Sequence, residues 1–218
     1  NTIMKIAVFD VCDTIYSVNT TFGFLDYFFV KNKKYIFFRK ITKLLPIKIF
    51  NYFFYKVFKK DITRYYGTLF LSGKKVEEVK KNAYQFVNSN LVKDTKDPVL
   101  VMLQHYKSQG YHIVLMSGSY TFVIEEVAKY FNADHFYGSK LNVVNNIYTG
   151  KYDEDILFNK YELLKNEFKQ IDKLVVVSNN KTDLELMNFA DQSFAVCNKE
   201  SDVKFWKSYS KITCIKDY

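Results

Sequence analysis

Close to the start of the chain, an apolar segment ends in residues that could carry out chemistry. Ile6-Ala7-Val8-Phe9 is followed at once by Asp10, and Thr14 comes four residues later. Such a segment predicts a buried parallel strand, and open α/β sheets bind ligands at the carboxyl ends of their strands. Asp10 is therefore placed for nucleophilic or metal chemistry. This short pattern is a weak signal by itself. It indicates a phosphoryl-transfer site only if the ends of later strands bring the other polar residues that such a site needs.

Polar groups also follow later predicted strands. The strand predicted over residues 111–116 ends at Ser117, another ends shortly before Asn179 and Asp183, and Lys160 lies near the start of a helix between them. Because the carboxyl ends of parallel strands meet at one edge of a sheet, these groups are expected to converge there. Carboxylates, a hydroxyl, an ammonium group and helix amino termini together can hold a phosphoryl group and a divalent cation. Each also has a plainer interpretation, such as a turn serine, a surface lysine or a helix cap.

Alternating strands and helices would position these groups. Strands are predicted over residues 4–9, 111–116, 135–137, 173–177 and 193–196, with a small hairpin over 139–150. Helices are predicted over residues 97–107, 121–131, 157–168 and 182–189. This alternation predicts an α/β fold with a doubly wound parallel sheet.

A helical segment is inserted after the first strand. Residues 17–90 show no alternation of short strands and turns, and their aromatic residues recur among lysines at helical spacing. This pattern predicts several helices, with breaks near Pro46 and Ser72-Gly73. The segment holds 15 Lys or Arg against four acidic residues, a net charge of +11, which leaves −2 for the rest of the chain. It also holds 19 of the 40 aromatic residues. We predict a core domain over residues 1–16 and 91–218, with a helical cap subdomain over 17–90.

Length and composition limit the class of protein. A chain of 218 residues, 48% of them hydrophobic, can bury a sizeable core, so disorder is not expected. Three scattered cysteines favour a reducing compartment over a disulfide framework. The chain shows neither a secretory pattern nor a stretch of about 18 apolar residues. We therefore expect a cytoplasmic protein, with peripheral attachment to a membrane as the alternative.

Taken in order, these motifs resemble those of the haloacid dehalogenase superfamily, in particular its phosphoserine-phosphatase-like branch with a helical cap. The first motif matches Asp10-Val11-Cys12-Asp13-Thr14, and the second matches Ser117 after the strand Ile113-Val114-Leu115-Met116. Lys160 matches the lysine of the third motif, and Ser178-Asn179-Asn180-Lys181-Thr182-Asp183 matches the fourth. The order and spacing together are more specific than any single motif. The resemblance implies a Rossmann-like core with strand order 5-4-1-2-3 and an inserted helical cap.

The resemblance also implies an activity, the hydrolysis of a phosphomonoester through an aspartyl-phosphate intermediate. Asp10 would be the nucleophile that attacks phosphorus. Ser117 and Gly118 would bind the phosphate, Lys160 would neutralise its charge, and Thr14 would order the first loop. These residues form the catalytic and phosphate-binding set that the family pattern assigns to this chain.

A magnesium site is implied as well. Asp10, the backbone carbonyl of Cys12 and Asn179 would hold Mg²⁺, and Asp183 could move in from a position behind them. Elementary electrostatics supports a cation, because a phosphate dianion and a carboxylate in a dry site repel each other by several kcal/mol. The family has an acid where this chain has Asn179, so the affinity for Mg²⁺ should be lower.

A second departure concerns the general acid, since Cys12 stands where the family has an acidic residue. A thiol, with a reference pKa of about 8.5, can donate a proton, but it hydrogen-bonds poorly, and loss of a general acid costs about 10²–10⁴ in rate. Asp13 would take over as the general acid if the loop shifted by one residue. In the other interpretation, Cys12 is a small inert side chain that only fills space. Three hypotheses follow: a working phosphatase with a modified site, an enzyme that hydrolyses its aspartyl-phosphate slowly, or a non-catalytic phosphate- or ligand-binding relative.

The basic, aromatic cap has two interpretations. It would close over the site, with Arg64 contacting the distal charge of a small phosphorylated substrate. Alternatively, residues 27–31 and 35–40 mix apolar and cationic groups as interfacial helices do, which favours an anionic membrane surface and a lipid phosphate or lipid-linked sugar phosphate. Phosphoserine itself is not expected, because residues 18–21 lack the acid with which the family's phosphoserine enzymes hold the ammonium group. Nucleic acid is not expected either, because no recognition motif is present.

Overall fold

The fold is built around a mostly parallel sheet in a computed structural model that describes residues 4–217. Its strands are β1 (Met4–Phe9), β2 (His112–Tyr120), β3 (His135–Val144), β4 (Ile147–Glu154), β5 (Ile171–Ser178), β6 (Gln192–Cys197) and β7 (Ile212–Lys216). Within the described residues the strand order is β4-β3-β2-β1-β5-β6-β7. All neighbouring pairs are parallel except β3 and β4, which are antiparallel.

Helices cover both faces of the sheet. They are α1 (Thr20–Phe28), α2 (Lys33–Thr42), α3 (Leu45–Phe58), α4 (Ile62–Thr68), α5 (Val76–Ser89), α6 (Asp97–Ser108), α7 (Thr121–Phe131), α8 (Lys160–Glu167), α9 (Leu184–Phe189) and α10 (Glu200–Trp206). Along β1, Ala7 and Phe9 join one buried hydrophobic cluster, and Ile6 and Val8 join another. Burial on both faces explains why this strand is continuously apolar. The predicted doubly wound α/β fold is confirmed.

The strand order predicted for the five core strands is confirmed as well. They are β6-β5-β1-β2-β3 in the structure, and β4 and β7 extend the sheet at its two edges. The hairpin predicted over residues 139–150 is not separate from the sheet, because β3 runs on from the core into its first arm. Asn145 and Asn146 turn the chain with φ angles of 50° and 64°, as a type I′ hairpin turn requires.

Two helices of the inserted segment share the hydrophobic core of the sheet. The ring of Phe24 in α1 lies 5.2 Å from that of Phe122 in α7 and 5.9 Å from that of Phe86 in α5. The chain leaves the core beside Tyr16 and returns at Thr95, and these two residues form an antiparallel bridge. In α3, by contrast, no residue is buried. The exact division between core and cap stays a prediction.

Candidate active site

Asp10 lies at the carboxyl end of the central strand β1. Its backbone N–H donates to the carbonyl oxygen of Val177 in β5 over 2.9 Å, which continues the sheet pairing and fixes where the side chain emerges. The side chain is buried. Burial raises the pKa of Asp10 to about 6; Lys160 opposes this rise and Asp183 adds to it. The carboxylate therefore depends on its neighbours to remain charged.

Lys160, at the start of α8, bridges two buried carboxylates. Its Nζ lies 2.8 Å from Asp10 Oδ1 and 2.7 Å from Asp183 Oδ2. Burial acts to lower the pKa of Lys160, but the two carboxylates raise it above its ordinary value, so the ammonium group stays charged. Ser178 donates to the same oxygen of Asp183 over 2.7 Å. The plainer interpretation of Lys160 as a solvated surface lysine is wrong.

Thr14 joins the first loop to the loop after β5. Its Oγ1 lies 3.2 Å from Asp10 Oδ2 and 3.1 Å from Asn179 Oδ1, and it accepts a hydrogen bond from the backbone N–H of Asn179 over 3.0 Å. The hydroxyl has one hydrogen and donates to one of the two side chains at a time. The carboxylate of Asp10 and the amide oxygen of Asn179 therefore lie on either side of one hydroxyl.

Cys12 also faces the site rather than the apolar core. Its Sγ lies 2.6 Å from Thr20 Oγ1 and 3.4 Å from Ser117 Oγ. Burial raises the pKa of the Cys12 thiol, and the carboxylate of Asp10 raises it further. The side chain is thus a neutral thiol at physiological pH, which has a proton to give but resists becoming a thiolate.

The last residues of β2 supply a second polar segment of the site. Ser117 Oγ accepts a hydrogen bond from the backbone N–H of Ser119 over 3.2 Å, which leaves its own hydrogen to donate elsewhere. At Gly118 a Cβ atom would lie 2.7 Å from Leu157 Cδ1 and 3.3 Å from Leu157 Cα. Glycine therefore allows the loop before α8 to approach this strand end closely.

Arg64 in α4 is buried and extensively paired. Its Nη2 donates to the carbonyl oxygen of Gly118 over 2.5 Å and to Asp155 Oδ1 over 3.1 Å, while Nη1 reaches Asp155 Oδ2 over 3.3 Å. The guanidinium also lies over the ring of Tyr152, 5.0 Å from its centroid. In this arrangement Arg64 ties α4 to Gly118 near the end of β2 and to Asp155 after β4. Its predicted contact with substrate stays a prediction.

The first loop bends sharply at Asp13, which has a φ of 53°. Lys96 Nζ and Asn198 Nδ2 donate to the carbonyl oxygen of Asp13 over 3.0 and 3.2 Å. The buried Lys96 also hydrogen-bonds Asn198 and pairs with Asp217 over 3.0 Å. Burial raises the pKa of Asp13, and Lys96 opposes that rise. Sequence reasoning missed Lys96, because no motif or periodic signal connects it to a loop 83 residues earlier.

A cavity of about 590 Å³ opens over these groups. The core contributes Gly118 and several polar residues, including Asp10, Cys12, Asp13, Ser117, Asn179, Lys181 and Lys199. Helices α3 and α4 contribute Tyr52, Tyr55, Lys56 and Arg64. Sequence reasoning did not single out Tyr55 or Lys199, because an aromatic residue in a cap and one lysine among many carry no motif.

The donor set fits a weakly held magnesium ion. Within residues 4–217, no three His, Cys, Asp or Glu side chains cluster closely enough to hold a metal ion by themselves. Magnesium, however, usually binds one or two carboxylates and completes its shell with water and substrate phosphate. Asp10 and Asn179 both line the cavity, and each places an oxygen within 3.2 Å of Thr14 Oγ1. Together with the carbonyl of Cys12, they would form an oxygen-only site.

Individual known proteins resemble this chain at low sequence identity. A phosphoserine phosphatase of Lactococcus lactis subsp. lactis (strain IL1403) is 25% identical over 114 residues, 50% of this chain and 52% of that protein, so the chain spans about half the length of this curated relative. A protein of unknown function from Bordetella pertussis Tohama I has a TM-score of 0.75 at 12% identity, covering 98% and 99% of the two chains. A phospho-aspartyl intermediate analogue of phosphoserine phosphatase has a TM-score of 0.64 at 16% identity, covering 98% and 94%.

These structural similarities show the fold alone, whereas a match to a family model shows the family. The model of haloacid dehalogenase-like hydrolases matches residues 7–188, which include all four strand-end and helix-start motifs. Over most of its length, from β1 to α9, the chain therefore belongs to the haloacid dehalogenase-like hydrolase family.

Proposed function

We propose that this protein is a magnesium-dependent phosphomonoester hydrolase with Asp10 as its nucleophile. The observation that supports this most is the position of Asp10 at a strand end, under a cavity, with its two carboxylate oxygens next to Lys160 Nζ and Thr14 Oγ1. A buried acid held this way is oriented and charged, as a nucleophile must be. A purely structural ion pair would not need to open onto a cleft lined by hydroxyl and ammonium groups.

In the first step, an oxygen of Asp10 attacks phosphorus and the bond from phosphorus to the alcohol breaks. The Cys12 thiol gives its proton to the departing alkoxide, Ser117 donates a hydrogen bond to a phosphoryl oxygen, and Lys160 balances the charge on the nucleophile. Magnesium held by Asp10, Asn179 and the carbonyl of Cys12 would offset the repulsion between the phosphate and the carboxylate. The product is an aspartyl-phosphate.

In the second step, water attacks the phosphorus of the aspartyl-phosphate, and the bond between phosphorus and the Asp10 oxygen breaks. Inorganic phosphate leaves, the Asp10 carboxylate is restored, and the attacking water needs a base to take its proton. The thiolate of Cys12, formed in the first step, accepts the proton from water and the thiol is restored. Because burial and Asp10 both raise the pKa of Cys12, forming that thiolate is unfavourable. We therefore propose slow turnover compared with a homologue that has a carboxylate at this position.

The substrate class follows from the cavity lining. Tyr52, Tyr55, Leu157 and Phe205 line it together with Lys56, so the cavity offers apolar surface as well as cationic groups. We propose a phosphomonoester that carries an apolar or sugar portion, such as a lipid phosphate or a lipid-linked sugar phosphate. Phosphoserine, the phosphomonoester of a small polar amino acid, offers nothing apolar to these side chains.

Hydrolysis of an aryl phosphate such as p-nitrophenyl phosphate with Mg²⁺ tests the proposal. We expect phosphate release that EDTA abolishes, that Asp10→Asn removes to background, and that Ser117→Ala slows about tenfold or more. The Asp10→Asn protein, purified identically, controls for contaminating phosphatases. Equal rates for the wild type and Asp10→Asn would contradict the proposal.

A second candidate is a non-catalytic phosphate-binding protein on the same scaffold. Cys12 and Asn179 both favour it, because they replace a general acid and a metal-binding carboxylate with neutral groups. It predicts that calorimetry detects binding of inorganic phosphate, weakened by Ser117→Ala, while no aryl phosphate is hydrolysed. Turnover that depends on Asp10 would rule it out.

A further inference from the structure

The outer face of α3 is apolar. Leu45, Ile49, Phe53 and Val57 follow one another at a spacing of four residues, which places them in one stripe along the helix. Each is more than half exposed, between 54% and 69%, and neighbouring Phe50 is 52% exposed. A helix of a globular protein normally turns such a stripe toward the core. In α3 the apolar stripe faces away from the protein.

The inner face of α3 is fixed by polar and aromatic contacts, so this orientation is set by the fold. Asn51 Oδ1 accepts a hydrogen bond from the backbone N–H of Thr63 over 3.0 Å, and Asn51 Nδ2 donates to Asp61 over 3.1 Å. The ring of Tyr55 lies 4.8 Å from that of Phe158, and Tyr55 lines the cavity. One side of α3 therefore forms a wall of the candidate active site while the other carries the apolar stripe.

Positive charge surrounds the stripe. Residues 31–60 contain ten Lys or Arg and no acidic residue. The exposed lysines on α3 and at its two ends are Lys43, Lys48, Lys56, Lys59 and Lys60. A helix with an apolar face and flanking lysines binds at the interface of an anionic bilayer, where acyl chains receive the apolar side chains and headgroup phosphates receive the ammonium groups.

Other occupants match this surface less well. A second copy of the chain would bring two strongly basic surfaces together. Nucleic acid would pair with the lysines, but its phosphate backbone offers no apolar environment to the aliphatic side chains of Leu45, Ile49 and Val57. Spanning the bilayer does not fit either: a helix of 14 residues is about 21 Å long, against a hydrocarbon core of about 30 Å. None of the helices within residues 4–217 combines the length and apolar character needed to cross a membrane.

We propose that α3 docks this protein on the surface of an anionic lipid bilayer, lying in the plane of the headgroups with its apolar stripe inserted. Tyr52, Tyr55 and Lys56 of the same helix line the cavity, so docking brings this side of the cavity close to the membrane. Taken together with the proposed function, on which this last step rests, the substrate is a phosphomonoester carried on a lipid anchored in that membrane.

Sedimentation of the full chain with lipid vesicles tests the docking, without Mg²⁺ or substrate. Vesicles of phosphatidylcholine with one third phosphatidylglycerol are compared with vesicles of phosphatidylcholine alone. We expect binding to the anionic vesicles only. The double variant Ile49→Ser and Phe53→Ser should weaken it about tenfold or more, and Lys43→Gln with Lys60→Gln about tenfold to thirtyfold. Because these four side chains are exposed and lie outside the cavity lining, folding should be unaffected.

Matched controls carry equivalent changes on the core. Val101→Ser with Val144→Ser removes exposed apolar side chains that are 65% and 55% accessible, and Lys169→Gln with Lys211→Gln removes the same charge from exposed core positions. Both should bind anionic vesicles as the wild type does.

Three results would overturn the docking proposal: no binding to anionic vesicles, equal binding to neutral ones, or equal losses in the core controls. Concentration-dependent dimerisation that Ile49→Ser with Phe53→Ser abolishes, without vesicle binding, would assign the stripe to a second copy. The same assay on Asp10→Asn separates docking from catalysis. Binding by that variant leaves docking intact even if the proposed hydrolase activity fails.

Discussion

At the scale of single residues, the candidate chemistry depends on how one buried carboxylate is kept charged. Asp10 is destabilised by burial and stabilised by Lys160 and Thr14. The ammonium group of Lys160 is in turn destabilised by burial and stabilised by the carboxylates of Asp10 and Asp183. The charged state of each of these three residues therefore depends on the other two. Cys12 is the neutral group next to them. This arrangement gives one prediction for the charged Lys160 and one for the neutral Cys12.

Replacing Lys160 with methionine should destabilise the protein in a pH-dependent way. Removing one partner from a buried ion pair costs about 3–5 kcal/mol. The pKa of Asp10, about 6 with Lys160 present, rises further without it, so the folded variant favours the protonated acid. The deficit in the free energy of unfolding should shrink as the pH falls from about 8 to about 5, measured by urea unfolding in EDTA. Exposed Lys165→Met on the same helix should change stability by less than about 0.5 kcal/mol. A deficit that grows at low pH would contradict this account.

Replacing Cys12 with aspartate should increase turnover. A carboxylate at this position is a better proton donor and acceptor than a thiol whose pKa is raised by burial and by Asp10. We expect kcat for an aryl phosphate to rise about 10²–10⁴-fold. Cys12→Asn, which has a similar shape but no acid, is the control and should not gain activity. No gain in Cys12→Asp would indicate that Cys12 does not take part in proton transfer.

At the scale of elements, one buried lysine connects the first loop to the carboxyl-terminal part of the sheet. Lys96 precedes α6, donates to the carbonyl of Asp13, and pairs with Asp217 beyond β7. The carbonyl of Asp13 belongs to a bend with positive φ, which requires support from its surroundings. Lys96 is therefore a positioning residue for the loop that carries Asp10, Cys12 and Thr14.

Lys96→Met should release this bend. We expect kcat to fall at least about tenfold with little change in KM for an aryl phosphate, because the loop places the reacting groups more than it binds substrate. Stability should fall by about 1–3 kcal/mol through the lost hydrogen bonds. Lys96→Arg should recover part of kcat, and exposed Lys93→Met should leave it unchanged. Unchanged kcat in Lys96→Met would show that Lys96 does not position the first loop for catalysis.

The elements also show which signals were readable in the sequence. The bounds predicted for α7 match the structure at both ends, because a clear apolar period is followed by Asn132 in the left-handed region. α10 and β7 were missed, since a short helix and a five-residue edge strand carry too few residues for a period to show.

At the scale of the whole molecule, the order of the core strands came from the family resemblance and not from the periodic pattern. The strand-end motifs meet at one edge of the sheet, as the alternation of strands and helices predicted. Asp10, Lys160, Asn179 and Asp183 are linked through hydrogen bonds within that edge. The ion pair between Arg64 and Asp155 was not readable, because it joins residues 91 positions apart that belong to no shared motif. Contacts of this kind depend on how the inserted helices settle on the core.

The inserted helices and the core should unfold together. Phe24 of α1 is fully buried among rings from α5 and α7. We expect Phe24→Ala to lower the free energy of unfolding by about 3–5 kcal/mol and to keep a single transition that coincides in near- and far-ultraviolet circular dichroism. Exposed Phe37→Ala in α2, 66% accessible, is the control and should change little. Two separated transitions would show that the insert is an independent domain.

The central claim is that Asp10 becomes phosphorylated, and acid-quenched trapping tests it most directly. The protein is mixed with Mg²⁺ and a radiolabelled phosphomonoester, quenched in acid, digested and mapped by mass spectrometry. We predict one phosphoryl group on the peptide that contains Asp10, and none in Asp10→Asn or in EDTA. Phosphate release with no label on that peptide, or equal label in Asp10→Asn, would contradict the account.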